Sequence, residues 1–223
     1  MNLTLFDLDG TLLPTDSDHA FGEFLVGIGW ADGEAHRRAN DAFYADYLAG
    51  RLDMAAYVDF ATSPWRDRSP AELAAVTERF LAEVARPALR PSALDLVRRH
   101  LDAGDLVAIV TATNEFVTRP IAGLFGIDHL IATELERDAA GRVTGAIRGT
   151  PSFRDGKIAR VDDWLAGLGH RLSDFDRCSF YSDSTNDLPL LERVSHPVAT
   201  NPVPALAAIA AERGWPVLHL FQT

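Results

Sequence analysis

Three short apolar runs constrain this chain most, because each ends in a cluster of acidic or hydroxyl side chains. Residues 3–6 lead into Asp7-Leu8-Asp9-Gly10-Thr11, residues 106–110 into Thr111-Ala112-Thr113-Asn114, and residues 178–181 into Ser182-Asp183-Ser184-Thr185-Asn186-Asp187. Runs this short, β-prone and uniformly apolar suit strands covered on both faces, as in a parallel sheet. Helix-patterned stretches at 91–103, 115–125, 154–168 and 204–213 separate or follow them, and each is closed by a glycine: Gly104, Gly126, Gly169 and Gly214. Residues 198–199 and 215–220 are weaker strand candidates, and 134–148, centred on Gly141, reads as a small hairpin. This alternation predicts an α/β fold with a doubly wound, mostly parallel, Rossmann-like sheet.

Residues 15–86 break the alternation. They carry Ala, Leu, Phe and Tyr at helical spacing with little strand character, and they interrupt the pattern directly after the first strand. The expectation is an all-helical cap domain at 15–86 inserted into a core domain made of 1–14 and 87–223. With 223 residues, 47% of them hydrophobic, the chain can bury a core of that size. The net charge of -11 and the lack of a Lys/Arg-rich stripe argue against nucleic acid as a partner. Cys178 is the sole cysteine, so a disulfide within the chain and thiolate metal clusters are excluded, and its apolar setting reads as structural. No apolar run approaches the length of about 18 residues that a membrane span requires. No leader pattern opens the chain, and the expectation is a cytoplasmic protein.

In open α/β sheets reactive groups gather at the carboxyl ends of the strands. An aspartate fixed there, Asp7, is a nucleophile that needs no deprotonation at neutral pH. Asp9, two residues on, can return to the same site through a turn at Gly10 and act as general acid and then general base. The alternative is a simple strand-to-turn transition. Asp183 offers a hard oxygen to Mg²⁺, with Asp187 supporting it, although Ser and Asn here also suit a helix start. Asp7, Asp9 and Asp183 in one crevice would repel by on the order of 4 kcal/mol per pair at about 4 Å and an effective dielectric near 20, and a dication reverses that sign. Thr111 and Lys157, the chain's one lysine, are candidate stabilisers of a phosphoryl group, against the plainer reading of Lys157 as a solvated residue of a first helical turn. Gly10, Thr11, Ala112, Asn114 and Asn186 are the expected phosphate or substrate contacts around these strand ends.

Taken together, Asp7-Leu8-Asp9-Gly10-Thr11, Thr111, Lys157, and Asp183 with Asp187 resemble the four ordered motifs of the haloacid dehalogenase superfamily of phosphatases. Asp16 and Asn201-Pro202 resemble its branch related to phosphoserine phosphatase. The resemblance implies Asp7 as nucleophile, Asp9 as acid/base, and Thr111 and Lys157 as phosphate binders. It implies Mg²⁺ held by Asp7, the Asp9 backbone carbonyl and Asp183, with Asp187 in support. Asp16 falls where that branch binds a substrate amine. Asp59 falls where it holds a substrate carboxylate with arginine, and an acidic residue there would repel phosphoserine.

The leading expectation is therefore Mg²⁺-dependent hydrolysis of a small phosphomonoester through an aspartyl-phosphate; as a secondary expectation Asp16 and Asp59 favour a cationic amine such as histidinol phosphate, with histidinol phosphate and phosphoserine as the substrate alternatives. Phosphotransfer to a second substrate, as in a mutase, and a non-catalytic binding module are the alternatives. The seven histidines are read as surface or packing residues. Trp30, Trp65, Phe21, Phe24, Phe43, Tyr44 and Phe60 are read as core of the helical insertion, and Arg66 and Arg68 as solvated. Lys157→Ala is expected to lower activity with little loss of stability.

Overall fold

β1 (Asn2–Phe6) runs through the middle of the sheet and ends at Asp7. In the computed structural model residues 1–221 are described; 222 and 223, the end of the expected core segment, lie outside them. After β1 come α1 (Ser17–Gly27), α2 (Gly33–Leu48), α3 (Met54–Thr62), α4 (Pro70–Phe80) and α5 (Arg86–Ala88), and α6 (Pro91–Asp102) then returns the chain to β2 (Leu106–Asn114). There follow α7 (Glu115–Leu124), β3 (His129–Thr133), the hairpin strands β4 (Leu135–Arg137) and β5 (Val143–Ile147), and α8 (Asp155–Gly167). The chain finishes with β6 (Arg177–Ser182), α9 (Leu188–Leu191), β7 (His196–Thr200), α10 (Pro204–Arg213) and β8 (Val217–Leu218).

The six long-range strands lie in the order β3-β2-β1-β6-β7-β8, and every neighbouring pair is parallel. The order reverses at β1, so the crevice at a topological switch point opens beside Asp7. Register brings the chemistry level: Phe6 pairs with Ile109 on one side and Tyr181 on the other. The residues that follow all three therefore emerge at one edge.

Alternation along β1 and β2 explains why both faces are covered. Phe6, Val107 and Ile109 join Leu96, Val97 and Ile121 from α6 and α7 on one face. Leu3, Leu5, Ala108 and Val110 join Val161, Leu165, Leu190 and Leu206 from α8, α9 and α10 on the other. This is the doubly wound arrangement that the sequence predicts.

Regular structure between β1 and α6 is helical, as expected. Helices α1 to α4 open on side-chain caps: Asp16, Asp32, Asp53 and Ser69 each accept a backbone N–H of the first turn, and Ser69 forms a full capping box with Glu72. Between α4 and α5 the backbone winds as a π-helix over Leu81–Ala85 just before Pro87. A proline that lacks an N–H and crowds the preceding turn is accommodated by that wider winding. Phe21, Phe24 and Phe80 of the insertion share one apolar cluster with Phe6 of the sheet, and Trp65 stacks on Phe116 at 4.1 Å. α1 and α4 thus rest on the sheet layer, which leaves α2 and α3 to cover the crevice.

Two strand expectations need amendment. β2 continues to Asn114, four residues past the apolar run, and β3 occupies 129–133, where no strand is expected from the pattern. The hairpin forms where predicted, with Gly141 in its turn at a φ of 80°. Among the described residues no helix is long and apolar enough to cross a membrane.

Candidate active site

Asp7 is 3% exposed and is fixed by the sheet, its backbone N–H donating to the Tyr181 carbonyl at 2.9 Å. Its carboxylate is held on both oxygens: the Lys157 ammonium donates to Oδ1 at 2.8 Å, and Thr11 Oγ1 lies 3.2 Å from Oδ2. Lys157, in the first turn of α8, is 1% exposed and also reaches Asp187, whose Oδ2 accepts from Ser182 Oγ at 2.7 Å. Lys157 is thus a buried link between two strand ends rather than a solvated helix residue. Burial alone would lower its pKa, but the charges of Asp187 and Asp7 outweigh that and raise it. The expected small stability cost of Lys157→Ala does not survive this geometry, because the substitution would strand two buried carboxylates.

Thr11 Oγ1 also lies 3.1 Å from Asp183 Oδ1 and accepts the Asp183 N–H at 3.0 Å, which draws the first and third strand ends together. Gly10 makes the turn at a φ of 77°, and a Cβ there would collide with the Asp183 carboxylate. Burial, and after it Asp7 and Asp187, push the Asp183 pKa well above the usual carboxylate range. Burial likewise raises Asp7, against the pull of Lys157.

Asp9 turns toward the insertion. Its Oδ1 accepts the Ser17 N–H at 2.8 Å, at the start of α1, and its Oδ2 accepts Thr113 Oγ1–H at 2.9 Å. Burial, and then the charge of Asp16, push its pKa up to about 7. Thr111 is 1% exposed; its Oγ1 accepts the Thr113 N–H at 3.2 Å, so β2 presents Thr111 and Thr113 on one short run.

Asp7, Asp9, Thr111, Ala112 and Thr113 form one end of a cavity closed by Asp16, Asp18 and His19 of the α1 start and by aromatic residues of α2 and α3, among them Phe43, Tyr44 and Tyr57. Asp16 lines it as expected, while its Oδ1 accepts the His19 N–H at 2.8 Å. Burial raises Asp16 to about 6 and Asp18 to about 7. Among the residues lining this cavity none is arginine or lysine.

Several expected contacts lie elsewhere. Asp59 is a correction: it is exposed on α3, ion-paired with Arg66 over Gly145 of the hairpin, and it does not face the cavity. Met54, Val58 and Thr62 form the buried stripe of α3, so the residue after Val58 points outward. Arg66 is thereby paired rather than solvated, and Arg68 lies over the Trp30 ring at 4.4 Å. Asn114 caps α7 and lets its Nδ2 reach Asp18. Asn186 does not line the cavity either; its Nδ2 donates to the Tyr47 carbonyl at 2.9 Å. Beside it, Arg154 Nη1 donates to the Gly50 carbonyl at 2.8 Å, so the end of α2 is pinned to the turn that carries Asp187 and to the start of α8, which carries Lys157.

Sequence reasoning missed Asp18, Tyr47 and Tyr57, and it set His19, Phe43 and Tyr44 aside as packing although all three line the cavity. The one available signal was the dense Asp16-Ser17-Asp18-His19 run, which also reads as an ordinary helix start.

With this geometry in view, the comparisons with known proteins are decisive. The family model described as haloacid dehalogenase-like hydrolase matches residues 4–192. The chain belongs to that family. It is 45% identical over 218 residues to a protein of Neisseria meningitidis serogroup C (strain 8013) named histidinol-phosphatase, covering 98% of each chain. The crystal structure of a protein of unknown function from Bordetella pertussis Tohama I superposes with a TM-score of 0.93 at 53% identity, over 99% of both chains. A substrate-bound phosphoserine phosphatase shares the fold at a TM-score of 0.66 and 17% identity, with 97% of this chain and 91% of that one covered. This haloacid dehalogenase-like chain is a phosphatase.

Proposed function

We propose that this phosphatase hydrolyses a small phosphomonoester bearing a cationic nitrogen, with histidinol phosphate as the substrate, in the cytoplasm, and that its helical insertion acts as a cap over the site. The observation that carries the reading is the charge of the cavity lining: Lys157 matches the Asp7 nucleophile, whereas Asp16 and Asp18 line the same cavity with no arginine or lysine among the lining residues. Phosphoserine carries a carboxylate, which would meet those acids and no arginine or lysine among the lining residues. The relative named histidinol-phosphatase supports the same choice.

In the proposed mechanism an Asp7 carboxylate oxygen attacks phosphorus, an O–P bond forms, and the ester P–O bond breaks. Asp9 gives its proton to the leaving alkoxide, then takes a proton from the water that attacks the Asp7 phosphoryl group, which releases phosphate. The Ser17 N–H and Thr113 hydroxyl orient Asp9 for both roles. The Lys157 ammonium and the Thr111 hydroxyl offset charge spread over the phosphoryl oxygens.

The donor set suits magnesium. Among the described residues no three His, Cys, Asp or Glu side chains form a ready cage, since Asp9 is turned away. Asp7 and Asp183 nevertheless converge on Thr11 beside the bare Gly10, and burial, with repulsion from Asp7 after it, raises Asp183. Magnesium usually keeps several waters and needs only one or two protein carboxylates with a substrate phosphate. Asp7, Asp183 and the Asp9 carbonyl would hold it, with Asp187 supporting through Lys157. When bound it supplies charge neutralisation between nucleophile and phosphate. Chelation should abolish phosphate release, magnesium should restore it, and Asp183→Asn should require far more magnesium for half-maximal rate. Full activity in chelator would remove the metal from this reading.

Parallel assays test the substrate. Histidinol phosphate should be turned over with a kcat/KM at least about tenfold above that for phosphoserine, the scale of one charge-assisted contact. Faster phosphoserine hydrolysis would overturn the assignment.

A further inference from the structure

We propose that Asp18 is the specificity residue that selects positive charge on the substrate, receiving its ammonium on a carboxylate that Asn114 and Tyr57 hold toward the cavity. This rests on the proposed cationic substrate and names the group that recognises it. Asp18 is 6% exposed and lines the cavity from the first turn of α1. Its two oxygens share one donor, Asn114 Nδ2, at 3.3 and 3.4 Å. Charge-assisted contacts are normally about 2.7–2.9 Å, and a buried carboxylate normally collects several of them. The Tyr57 hydroxyl also faces it from α3. Acceptor capacity is therefore left over, in a place that water reaches poorly.

The neighbouring acids hold closer donors than the Asn114 contact of Asp18. Both oxygens of Asp9 are taken at 2.8 and 2.9 Å by Ser17 and Thr113. Asp16 caps α1 through the His19 N–H, and the His19 ring is occupied by Asp41 at 2.9 Å. A plainer account of Asp18 is that an acid in a first helical turn stabilises the helix dipole. That role needs no burial, and it needs no anchoring from both α3 and the junction of β2 with α7. The Phe43, Tyr44 and Tyr57 rings around the same space add faces that attract a cation.

The test compares wild type, Asp18→Asn and Asp18→Glu on histidinol phosphate, on its amine-less analogue 3-(imidazol-4-yl)propyl phosphate, and on p-nitrophenyl phosphate. Asp18→Asn should lower kcat/KM for histidinol phosphate by about tenfold or more, chiefly through KM. Losses on the other two compounds should be several-fold smaller than on histidinol phosphate, since neither carries the ammonium. Asp18→Glu, which keeps the charge, should retain a preference for the amine, and it serves as the decisive variant if the amide does not fold. Equal losses on all three compounds would show a merely structural role, and an unchanged amine preference in the folded variants would exclude Asp18; either overturns the proposal. A wild-type enzyme that handles the amine-less analogue as well as histidinol phosphate would instead overturn the cationic-substrate reading, and this inference with it.

Discussion

Asp7→Asn is expected to reduce phosphate release by at least about 10³-fold, the scale on which nucleophile deletions fall, with the fold retained. The amide keeps the volume of the carboxylate but cannot displace an ester oxygen. It still accepts from Lys157 through its carbonyl oxygen, and Lys157 keeps its second partner, Asp187. The substitution also removes one member of the repelling set formed with Asp9 and Asp183. The thermal midpoint should therefore hold or rise. Phosphate-release assays beside a melting curve check both halves, and trapping of an acyl-phosphate on the wild type but not on the variant checks the intermediate. A variant that turns over normally would take Asp7 out of the mechanism.

Lys157→Ala should damage both activity and stability. The ammonium sits between Asp7 and Asp187 at 2.8 Å from each, and all three residues are almost fully buried. Deleting one member of a buried ionic set costs about 3–5 kcal/mol, because the remaining charges lose their compensation. Activity should fall by about 10²–10³-fold, the usual cost of losing a positioned charge stabiliser. The sign with pH follows from the carboxyls. Asp187 is already held at about 6 by burial against the pull of Lys157, and without the lysine it moves higher. The folded variant then keeps, above about pH 6, protons that the folded wild type and the unfolded chain release, so its deficit relative to wild type shrinks as pH falls toward about 6 and levels off below it. Denaturation of both proteins at pH 5 and pH 8 measures this. A deficit that does not change with pH would show that Lys157 is not balancing these acids.

The catalytic end of the site was legible because it is written locally. Asp7 and Asp183 follow their strands immediately and Thr111 follows the apolar run of β2, and the end of an apolar run is a place that periodicity can find. The helical insertion was legible as a type of structure but not in its facing. Within α3, Asp59 and Tyr57 lie two residues apart, yet one pairs with Arg66 on the outside and the other looks into the cavity. Only the packed stripe of Met54, Val58 and Thr62 fixes that rotation. Lys157 and Asp18 posed the same difficulty in another form: a charged residue in a first helical turn is ordinarily solvated, and what sets these two apart is burial from distant segments. β3 escaped notice because it is a five-residue edge strand following α7 closely, without a reactive cluster to mark its end.

The pinning of the α2 terminus by Asn186 and Arg154 has a consequence for timing. Each anchor sits next to a member of the buried charge cluster, Asn186 adjoining Asp187 and Arg154 one helical turn before Lys157. Lifting α2 away would break both bonds and loosen the chain on either side of that cluster together. If the insertion acts as the proposed cap, the two bonds that hold it shut are made by neighbours in the chain of the nucleophile's own charge partners.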